Sequence, residues 1–149
     1  MMFITAGTTK FDELVKKIDE CLERGQIKEK VIAQIGNGKY LPKNMKYFRF
    51  SKNLTKYYRM ADIVISHEGA GTLLELVNLG KKTLSLENPT TVENPDIVNK
   101  LSKDGYVFKC NDISKIVEAI NEARRKKFRK YVSPKCFIHK VIIDFVEKM

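Results

Sequence analysis

Short apolar runs alternate with longer amphipathic segments along the whole chain. The apolar runs predict strands at Met2–Ala6, Val31–Ile35, Lys46–Phe50, Ile63–Ser66, Thr83–Leu86 and Tyr106–Lys109. The amphipathic segments predict helices at Phe11–Arg24, Leu54–Met60, Thr72–Leu79, Pro95–Lys103, Asp112–Lys126 and Pro134–Lys148. Because helical crossovers link most successive strands, the pattern predicts an α/β fold. The expected architecture is a Rossmann-like open parallel sheet with helices on both faces.

Length and composition are those of one globular domain. The chain has 149 residues, of which 43% are hydrophobic, so it can build a substantial core. We expect a single domain over residues 1–149, with 134–149 as a C-terminal helix. No apolar run reaches the length of a membrane span. Lys10 and Asp12 interrupt the first apolar stretch, which argues against a signal peptide.

The cysteines predict a reducing compartment. Cys21, Cys110 and Cys136 are odd in number and show no CxxC spacing, so we expect free thiols in a cytoplasmic protein. His139 follows Cys136 by three residues, but the further ligands that a zinc site needs are missing. No metal site is expected.

The formal charge of +10 favours an anionic partner such as a nucleotide, an acidic membrane surface or nucleic acid. The densest basic block is Arg124–Lys130. It is either a solvated helix end whose cations complement the helix dipole, or a contact surface for a membrane or a partner. No recognised nucleic-acid motif accompanies it, so we expect no nucleic-acid partner.

A glycine-rich turn carries the strongest functional signal. After the apolar run that begins at Ile63, the chain continues with His67, Glu68, Gly69, Ala70, Gly71 and Thr72 and then enters an apolar helix. Backbone amides and the positive end of the helix dipole would meet at this point and attract an anion. A diphosphate could approach the glycines without meeting a Cβ atom. The alternative is tight strand–helix packing without a ligand.

Three side chains around this turn have competing interpretations. Glu75 lies about one helical turn in, where its carboxylate could accept hydrogen bonds from sugar hydroxyls; otherwise it is a surface carboxylate. His67 is either a general base or a turn histidine that bonds the backbone. Glu68 is either a site residue or a solvated turn residue. Together, the turn and Glu75 indicate a nucleotide-sugar site.

Two further glycine-containing turns follow strands, and the one after the first strand belongs at the same edge of the predicted sheet as the turn after the fourth. Gly7, Thr8 and Thr9 follow the first strand, and Gly36-Asn37-Gly38 follows the second. Open parallel sheets bind ligands beyond the carboxyl ends of their strands. Lys39 either approaches phosphates or belongs to an ordinary loop.

Three segments together resemble the glycosyltransferase family 28 C-terminal domain. They are Phe3–Leu14, Ile32–Gly38 and Ala61–Thr72, in the family's order. The resemblance extends through about Asp104. Within this family the chain is most similar to the stand-alone members. These are the soluble subunit of two-component UDP-GlcNAc transferases and the small subunit of bacterial polysaccharide glycosyltransferases.

This resemblance implies the C-terminal, donor-binding half of a GT-B fold. A UDP-sugar, UDP-GlcNAc in the first instance, would be the donor, and its sugar would pass with inversion to a lipid-linked acceptor. The acceptor domain and the catalytic base would lie on a membrane-anchored partner chain. The protein would then be inactive alone, need no cofactor, and sit peripherally at the cytosolic membrane face.

The resemblance also assigns residues. Glu75 would bind the ribose, and Gly7, Thr8 and Thr9 would lie near the donor phosphates. Backbone at Phe50 and Ser51 would hold the uracil edge. After the fifth strand the family usually carries a His-Gln or Gln-Gln pair that binds sugar hydroxyls. This chain has Asn94, Pro95 and Asp96 there instead, so Asn94 and Asp96 are the candidates for the sugar.

Other enzyme classes lack their motifs here. There is no GxSxG, no HExxH and no Walker lysine after a glycine-rich turn. The leading hypothesis is a glycosyltransferase donor subunit. A non-catalytic nucleotide-sugar-binding module is the alternative, because proline replaces a sugar-binding side chain. A basic nucleic-acid-binding protein ranks third.

Overall fold

Six parallel strands form a single sheet in the computed structural model, which describes residues 1–91, 95–133 and 135–148. The strands are β1 (Met2–Thr5), β2 (Val31–Gln34), β3 (Lys46–Phe48), β4 (Ile63–His67), β5 (Thr83–Leu86) and β6 (Phe108–Cys110). Their spatial order is β3-β2-β1-β4-β5-β6. The predicted open parallel sheet is confirmed.

Helices accompany most of the strand crossovers. They are α1 (Asp12–Glu23), α2 (Thr55–Met60), α3 (Ala70–Asn78), α4 (Pro95–Lys103), α5 (Ile116–Arg125) and α6 (Ile138–Glu147). A 3₁₀ turn over Ile113–Lys115 leads into α5. Asp112 caps that turn, because its Oδ1 accepts a hydrogen bond from the amide of Ser114 at 2.8 Å.

Alternating strand residues divide the core between the two faces of the sheet. Ile4 and Ile65 face the apolar cluster that includes α1 and α5. Phe3 and Val64, their neighbours along the same strands, face a second cluster with α2 and α3. A third cluster packs α3 against α4 through Leu73, Val77, Val98 and Leu101. Both faces are therefore covered, which explains why the central strands read as continuous apolar runs.

The strand order reverses between β1 and β4. From β1 the chain proceeds outward through β2 to β3, returns to the other side of β1 at β4, and then proceeds through β5 to β6. The connections after β1 and β4 therefore diverge and leave a crevice at the carboxyl edge. Ligands of open α/β sheets bind at such a switch point. The two turns predicted as the binding site, Gly7–Thr9 and Gly69–Thr72, follow these two strands.

Several element boundaries differ from the predicted ones. Helix α3 begins at Ala70 rather than Thr72, because the amide of Leu73 already bonds the carbonyl of Gly69 at 3.1 Å. Strand β3 ends at Phe48 rather than Phe50. Strand β6 is shifted towards the C-terminus and ends at Cys110. The earlier start of α3 is relevant to the predicted site, because it places Gly71 inside the first helical turn.

The last helix stands apart from the core. It was predicted from Pro134 but begins at Ile138; Pro134 and Met149 lie outside the described residues. Its large apolar side chains are 51–67% exposed, and none of its side chains is buried against the sheet. Within the described ranges, no helix combines the length and the apolarity that crossing a bilayer requires.

Candidate functional site

A cavity of about 360 Å³ opens at the switch point on the carboxyl edge of the sheet. The ends of β1, β2, β3 and β4 and the first turns of α2 and α3 contribute its walls. Its lining residues are Gly7, Thr8, Thr9, Gln34, Phe50, Ser51, Leu54, Tyr58, His67, Gly69, Ala70, Gly71, Thr72 and Glu75. Most of the predicted site residues are therefore brought together in one place.

The turn after β1 is clamped by two buried polar side chains. Gly7 has a φ of +60°, a conformation that favours glycine. Its amide donates to Thr5 Oγ1 at 3.1 Å, and its carbonyl accepts from Gln34 Nε2 at 3.0 Å. The Thr5 hydroxyl in turn donates to Gln34 Oε1 at 2.6 Å. Both backbone groups of Gly7 are thus held by the sheet itself.

The imidazole of His67 lies between the two glycine turns. A Cβ atom on Gly7 would lie 3.0 Å from His67 Nε2, and one on Gly69 would lie 2.5 Å from His67 Cε1. A larger residue at either position would have to displace the ring, and at Gly7 the positive φ favours glycine as well. The amide of Gly69 donates to His67 Nδ1 at 3.2 Å, so this nitrogen acts as an acceptor. The predicted backbone-bonding histidine is found.

The N-terminus of α3 points into the cavity. Gly69 is its N-cap, and no side chain in the described part of the chain caps this helix. The amides of Ala70, Gly71 and Thr72 precede the first intrahelical bond, so no carbonyl of the helix accepts from them. A Cβ atom on Gly71 would meet nothing within 4 Å, because that position faces the open cavity. The geometry is that of an anion site.

Glu75 stands at the other end of the cavity, one turn into α3. Its Oε1 accepts a hydrogen bond from the Thr55 hydroxyl at 3.1 Å, so the first residue of α2 orients the carboxylate. Tyr58 also lines the cavity, and only 1% of its surface is exposed. Burial, together with the negative charge of Glu75, raises the pKa of the Tyr58 hydroxyl to about 12. Tyr58 is therefore neutral, and its ring packs in the core beneath the cavity.

Some predicted residues lie elsewhere. Glu68 is 2% exposed and pairs with Lys109 at 3.2 Å, so it does not line the cavity and is not a solvated turn residue. Asp96 is exposed at the second position of α4 and also lies outside the cavity lining. Asn94 falls outside the described residues.

The glycine turn after β2, which contains Gly36 and Gly38, supports the turn after β1. Gly36 has a φ of +52°, and a Cβ atom there would lie 2.2 Å from the carbonyl oxygen of Thr9. Asn37 bonds this turn to the chain after β1, through its amide to Thr9 at 2.8 Å and its side chain to Thr8 at 2.9 Å. Lys39 does not line the cavity; the loop interpretation of this turn fits the structure.

Sequence reasoning missed Gln34, Leu54 and Tyr58 as lining residues. Gln34 has a recognisable signal in retrospect, since it is a polar residue at the end of an otherwise apolar buried strand. Leu54 and Tyr58 have none, because apolar and aromatic residues of a short helix predict ordinary packing. Among the described residues, no group of histidines, cysteines and carboxylates could hold a metal ion.

The basic block is partly engaged with its own domain. Arg124 pairs with Glu29, and Arg129 lies over the ring of Tyr106 at 5.4 Å. Arg124 and Arg125 occupy the last turn of α5, where cations complement the helix dipole. The solvated helix-end interpretation therefore accounts for part of this block.

Comparison with known proteins relates the whole chain to one family. The sequence profile of the glycosyltransferase family 28 C-terminal domain matches residues 1–148. UDP-N-acetylglucosamine transferase subunit ALG13 of Mus musculus is 33% identical over 124 residues, which cover 72% of this chain and 10% of that protein. The Homo sapiens protein of the same name is 30% identical over 122 residues, or 73% of this chain and 11% of the relative. The chain thus spans about a tenth of these curated relatives.

Solved structures share the fold at lower identity. MurG of Acinetobacter baumannii matches with a TM-score of 0.67 and 18% identity, over 99% of this chain and 49% of the other. The NMR structure of ALG13 matches with a TM-score of 0.60 and 19% identity, over 98% of this chain and 96% of the other.

Proposed function

The chain belongs to the glycosyltransferase family 28 C-terminal domain family, and on that premise we propose that it is the donor-binding subunit of a UDP-sugar glycosyltransferase. The proposed donor is UDP-GlcNAc, since relatives at 30–33% identity carry the name UDP-N-acetylglucosamine transferase subunit. The observation that carries the proposal is the cavity at the switch point, which combines an uncapped helix N-terminus with a carboxylate one turn further on.

The two ends of the cavity suit the two polar parts of UDP. The diphosphate would lie on the amides of Ala70, Gly71 and Thr72, where the helix dipole adds to the hydrogen bonds. The ribose would lie against Glu75, whose carboxylate accepts bonds from the 2′- and 3′-hydroxyls. Phe50 and Ser51 line the same cavity and would place their backbone at the uracil edge.

The sugar would leave the cavity towards the first turn of α4. Asp96 at the second position of that helix would accept hydrogen bonds from sugar hydroxyls, and Asn94 would precede it. Glu68 is proposed as a supporting residue rather than a ligand, because its carboxylate is buried against Lys109. Pro95 contributes no polar side-chain atom, which keeps a non-catalytic nucleotide-sugar-binding module as the second candidate.

The catalytic base would come from a partner chain. His67 lies between the glycine turns after β1 and β4, but its Nδ1 is already engaged by the amide of Gly69. A base at Nδ1 would have to break that bond. We therefore assign His67 to shaping the site. Transfer, with inversion, would require the partner to close over the donor and deprotonate a lipid-linked acceptor.

Helix α6 is the proposed docking element for a membrane-anchored partner subunit. Val141, Ile142 and Phe145 are 65%, 55% and 67% exposed on a helix that buries no side chain in its own domain. Exposed apolar stripes of this size indicate an interaction surface. The positive charge of Arg124–Lys130 would favour an anionic membrane surface close by, so the protein would act peripherally at the cytosolic membrane face.

Ligand binding tests the donor site first. Isothermal titration and thermal-shift measurements would compare UDP, UDP-GlcNAc, UDP-glucose, UDP-galactose and ATP. Binding to the native state raises the melting temperature, so we expect shifts with the UDP compounds and none with ATP. Absence of any shift with UDP compounds would refute the donor site.

Sugar transfer separates the two candidates. Radiolabelled UDP-GlcNAc would be incubated with lipid extract and the purified chain, alone or with membranes that carry the candidate partner. We expect labelled lipid only in the second reaction. UDP-GlcNAc binding without transfer in any combination would favour the non-catalytic module. Transfer by the isolated chain would refute the half-enzyme proposal.

A further inference from the structure

A buried charged pair lies on the α3–α4 side of the sheet, outside the cavity. The Glu68 carboxylate, 2% exposed, lies 3.2 Å from Lys109 Nζ, whose side chain is 19% exposed. The same Nζ donates to Asn99 Oδ1 at 3.0 Å. The ammonium group of Lys109, a residue of β6, therefore contacts two other parts of the chain, the turn after β4 at Glu68 and helix α4 at Asn99.

The sheet register explains how Lys109 spans this distance. Ser66 of β4 pairs with Ser85 of β5, and Ser85 pairs with Lys109 of β6. Leu84 and Leu86 of β5 belong to the cluster on the opposite face, so Ser85 is on the face towards α4. Its small side chain leaves room for the lysine to cross over β5. The long, flexible stem of lysine then carries the charge to Glu68.

The two acceptors are tied to the two proposed halves of the donor site. Glu68 immediately precedes Gly69, the N-cap of the helix proposed to bind the diphosphate. Asn99 lies three residues after Asp96 on α4, which places both on one face of that helix. The Lys109 ammonium is thus a direct link between the phosphate turn and the helix proposed to contact the sugar.

We propose that Lys109 is a positioning residue that holds the first turn of α4 at a fixed distance from the phosphate turn, so that the diphosphate and the sugar of a nucleotide-sugar are bound together. This proposal rests on the proposed donor site. Lys109 acts through Glu68 and Asn99 and does not itself line the cavity.

Packing alone does not account for the pair. Helix α4 is already held against α3 by the apolar cluster of Leu73, Val77, Val98 and Leu101. Apolar contacts are non-directional, so they restrict the position of the helix along its own axis less tightly than a hydrogen bond does. A buried ion pair adds little to stability compared with an apolar replacement, but the hydrogen bond from Lys109 to Asn99 is directional. Setting the position of α4 is therefore the role that fits.

The test compares two ligands on one variant. Lys109→Met keeps the length of the side chain and removes the ammonium. Dissociation constants of UDP and UDP-GlcNAc would be measured by isothermal titration. We expect UDP-GlcNAc to bind about tenfold more weakly and UDP to change by less than about threefold, because UDP does not reach α4. A merely structural role would weaken both ligands equally or shift only the melting temperature.

Three further variants keep the result interpretable. Lys109→Arg retains a cation within reach of both acceptors and should recover most of the UDP-GlcNAc affinity. Glu68→Gln combined with Lys109→Met removes both charges of the pair, so it remains foldable if the single variant does not, and it should show the same selective loss. Lys100→Met is the matched control on α4, since it removes the exposed Lys100–Asp104 pair at 3.2 Å and should change neither constant.

The outcomes separate this inference from the proposed function. If the wild-type chain binds neither ligand, the donor site itself is refuted. If it binds both and the ratio of the two constants is unchanged in Lys109→Met and in the double variant, the positioning role is refuted while the donor site stands.

Discussion

The Nδ1 atom of His67 accepts a hydrogen bond from the backbone amide of Gly69, with 3.2 Å between the two nitrogens. This bond joins the last residue of β4 to the N-cap of α3. It fixes the direction in which the following amides point. A residue whose type suggests proton transfer therefore serves as a backbone support in this structure.

Replacement of His67 should distinguish support from catalysis. In His67→Asn, Oδ1 occupies nearly the place of Nδ1 and can accept the same hydrogen bond, so UDP affinity should stay within about threefold of wild type. His67→Ala removes the acceptor and opens space beneath both glycines, so affinity should fall about tenfold or more. Isothermal titration measures both. Equal losses in the two variants would show that the hydrogen bond is not what matters.

Substitution of Gly71 should separate binding from stability. Gly71→Ala adds a methyl group that meets nothing in the unliganded protein and raises helix propensity, so the free energy of unfolding should rise by about 0.5–1 kcal/mol. The same methyl group would stand in the proposed phosphate path and should weaken UDP at least about tenfold, with Gly71→Val abolishing binding. Urea unfolding and titration calorimetry provide the two readouts.

The matched control lies at the other end of the same helix. Asn78→Ala also raises helix propensity, but far from the cavity, so it should leave UDP affinity unchanged. A Gly71→Val protein that folds and binds UDP normally would rule out this location for the diphosphate.

Removal of the Glu75 carboxylate should reveal ribose recognition. Hydrogen bonds to charged groups contribute about 1.5–3 kcal/mol, so Glu75→Ala should weaken UDP by about tenfold or more. The 2′,3′-dideoxy analogue of UDP lacks these hydroxyls, so Glu75→Ala should weaken its binding clearly less. Thr55→Val, which removes the bond that orients the carboxylate, should give a smaller loss for UDP. Identical losses for UDP and its dideoxy analogue would contradict the ribose assignment.

Charged substitutions on α6 should affect transfer without affecting the fold. Val141 and Phe145 are 65% and 67% exposed, so Val141→Asp and Phe145→Asp should leave the melting temperature and UDP affinity unchanged. Sugar transfer with membranes that carry the partner should be lost. His139→Asp, at an exposed position on the opposite side of the same helix from Val141 and Phe145, is the control and should retain transfer. A clear fall in melting temperature for the Asp variants would indicate that α6 packs on its own domain.

Asp19 should make stability depend on acid. Burial disfavours its charged form, but hydrogen bonds from the amides of Lys43 and Asn44 and from the hydroxyl of Tyr40 outweigh that effect, so the pKa of Asp19 is lowered. A lowered folded-state pKa stabilises the fold above the unfolded pKa, and that contribution is lost as the pH falls through the folded value.

The corresponding experiment is urea unfolding of wild type and Asp19→Asn across pH. The variant should be less stable by about 1.5–3 kcal/mol at pH 7, and the difference should shrink below about pH 4. Asp144→Asn, at an exposed position of α6, should show no such difference. If the difference in free energy of unfolding between wild type and Asp19→Asn stayed constant down to strongly acidic pH, the stabilising role of the Asp19 charge would be contradicted.

The family and the location of the cavity could be predicted from local pattern. The segments that end in Gly7–Thr9 and Gly69–Thr72 carry glycines where the backbone must come close to other groups, and such requirements are visible in the sequence. Parallel strands bring their carboxyl ends to one edge, so the two turns had to meet once the α/β alternation was recognised. The profile match over residues 1–148 confirms the family that these motifs indicated.

Residue roles that depend on distant partners could not be predicted this way. Glu68 and Lys109 lie 41 positions apart in the chain, and only the order β4-β5-β6 together with a small residue at Ser85 brings their charges together. Gln34 supports Gly7 because β1 and β2 are neighbours in register, which pairs Gln34 with Thr5.

The sequence by itself determined the alternation of strands and helices, the glycine turns and the helix N-terminus between them, because these follow from local periodicity and from backbone conformations that few residues adopt. Tertiary structure alone decided which polar side chains are buried supports and which face the cavity. It also decided that the apolar stripe of α6 remains exposed although its pattern is that of a core helix. An amphipathic pattern indicates that one face of a helix is apolar and is expected to be buried. Which surface buries it depends on the surfaces that the rest of the fold leaves free.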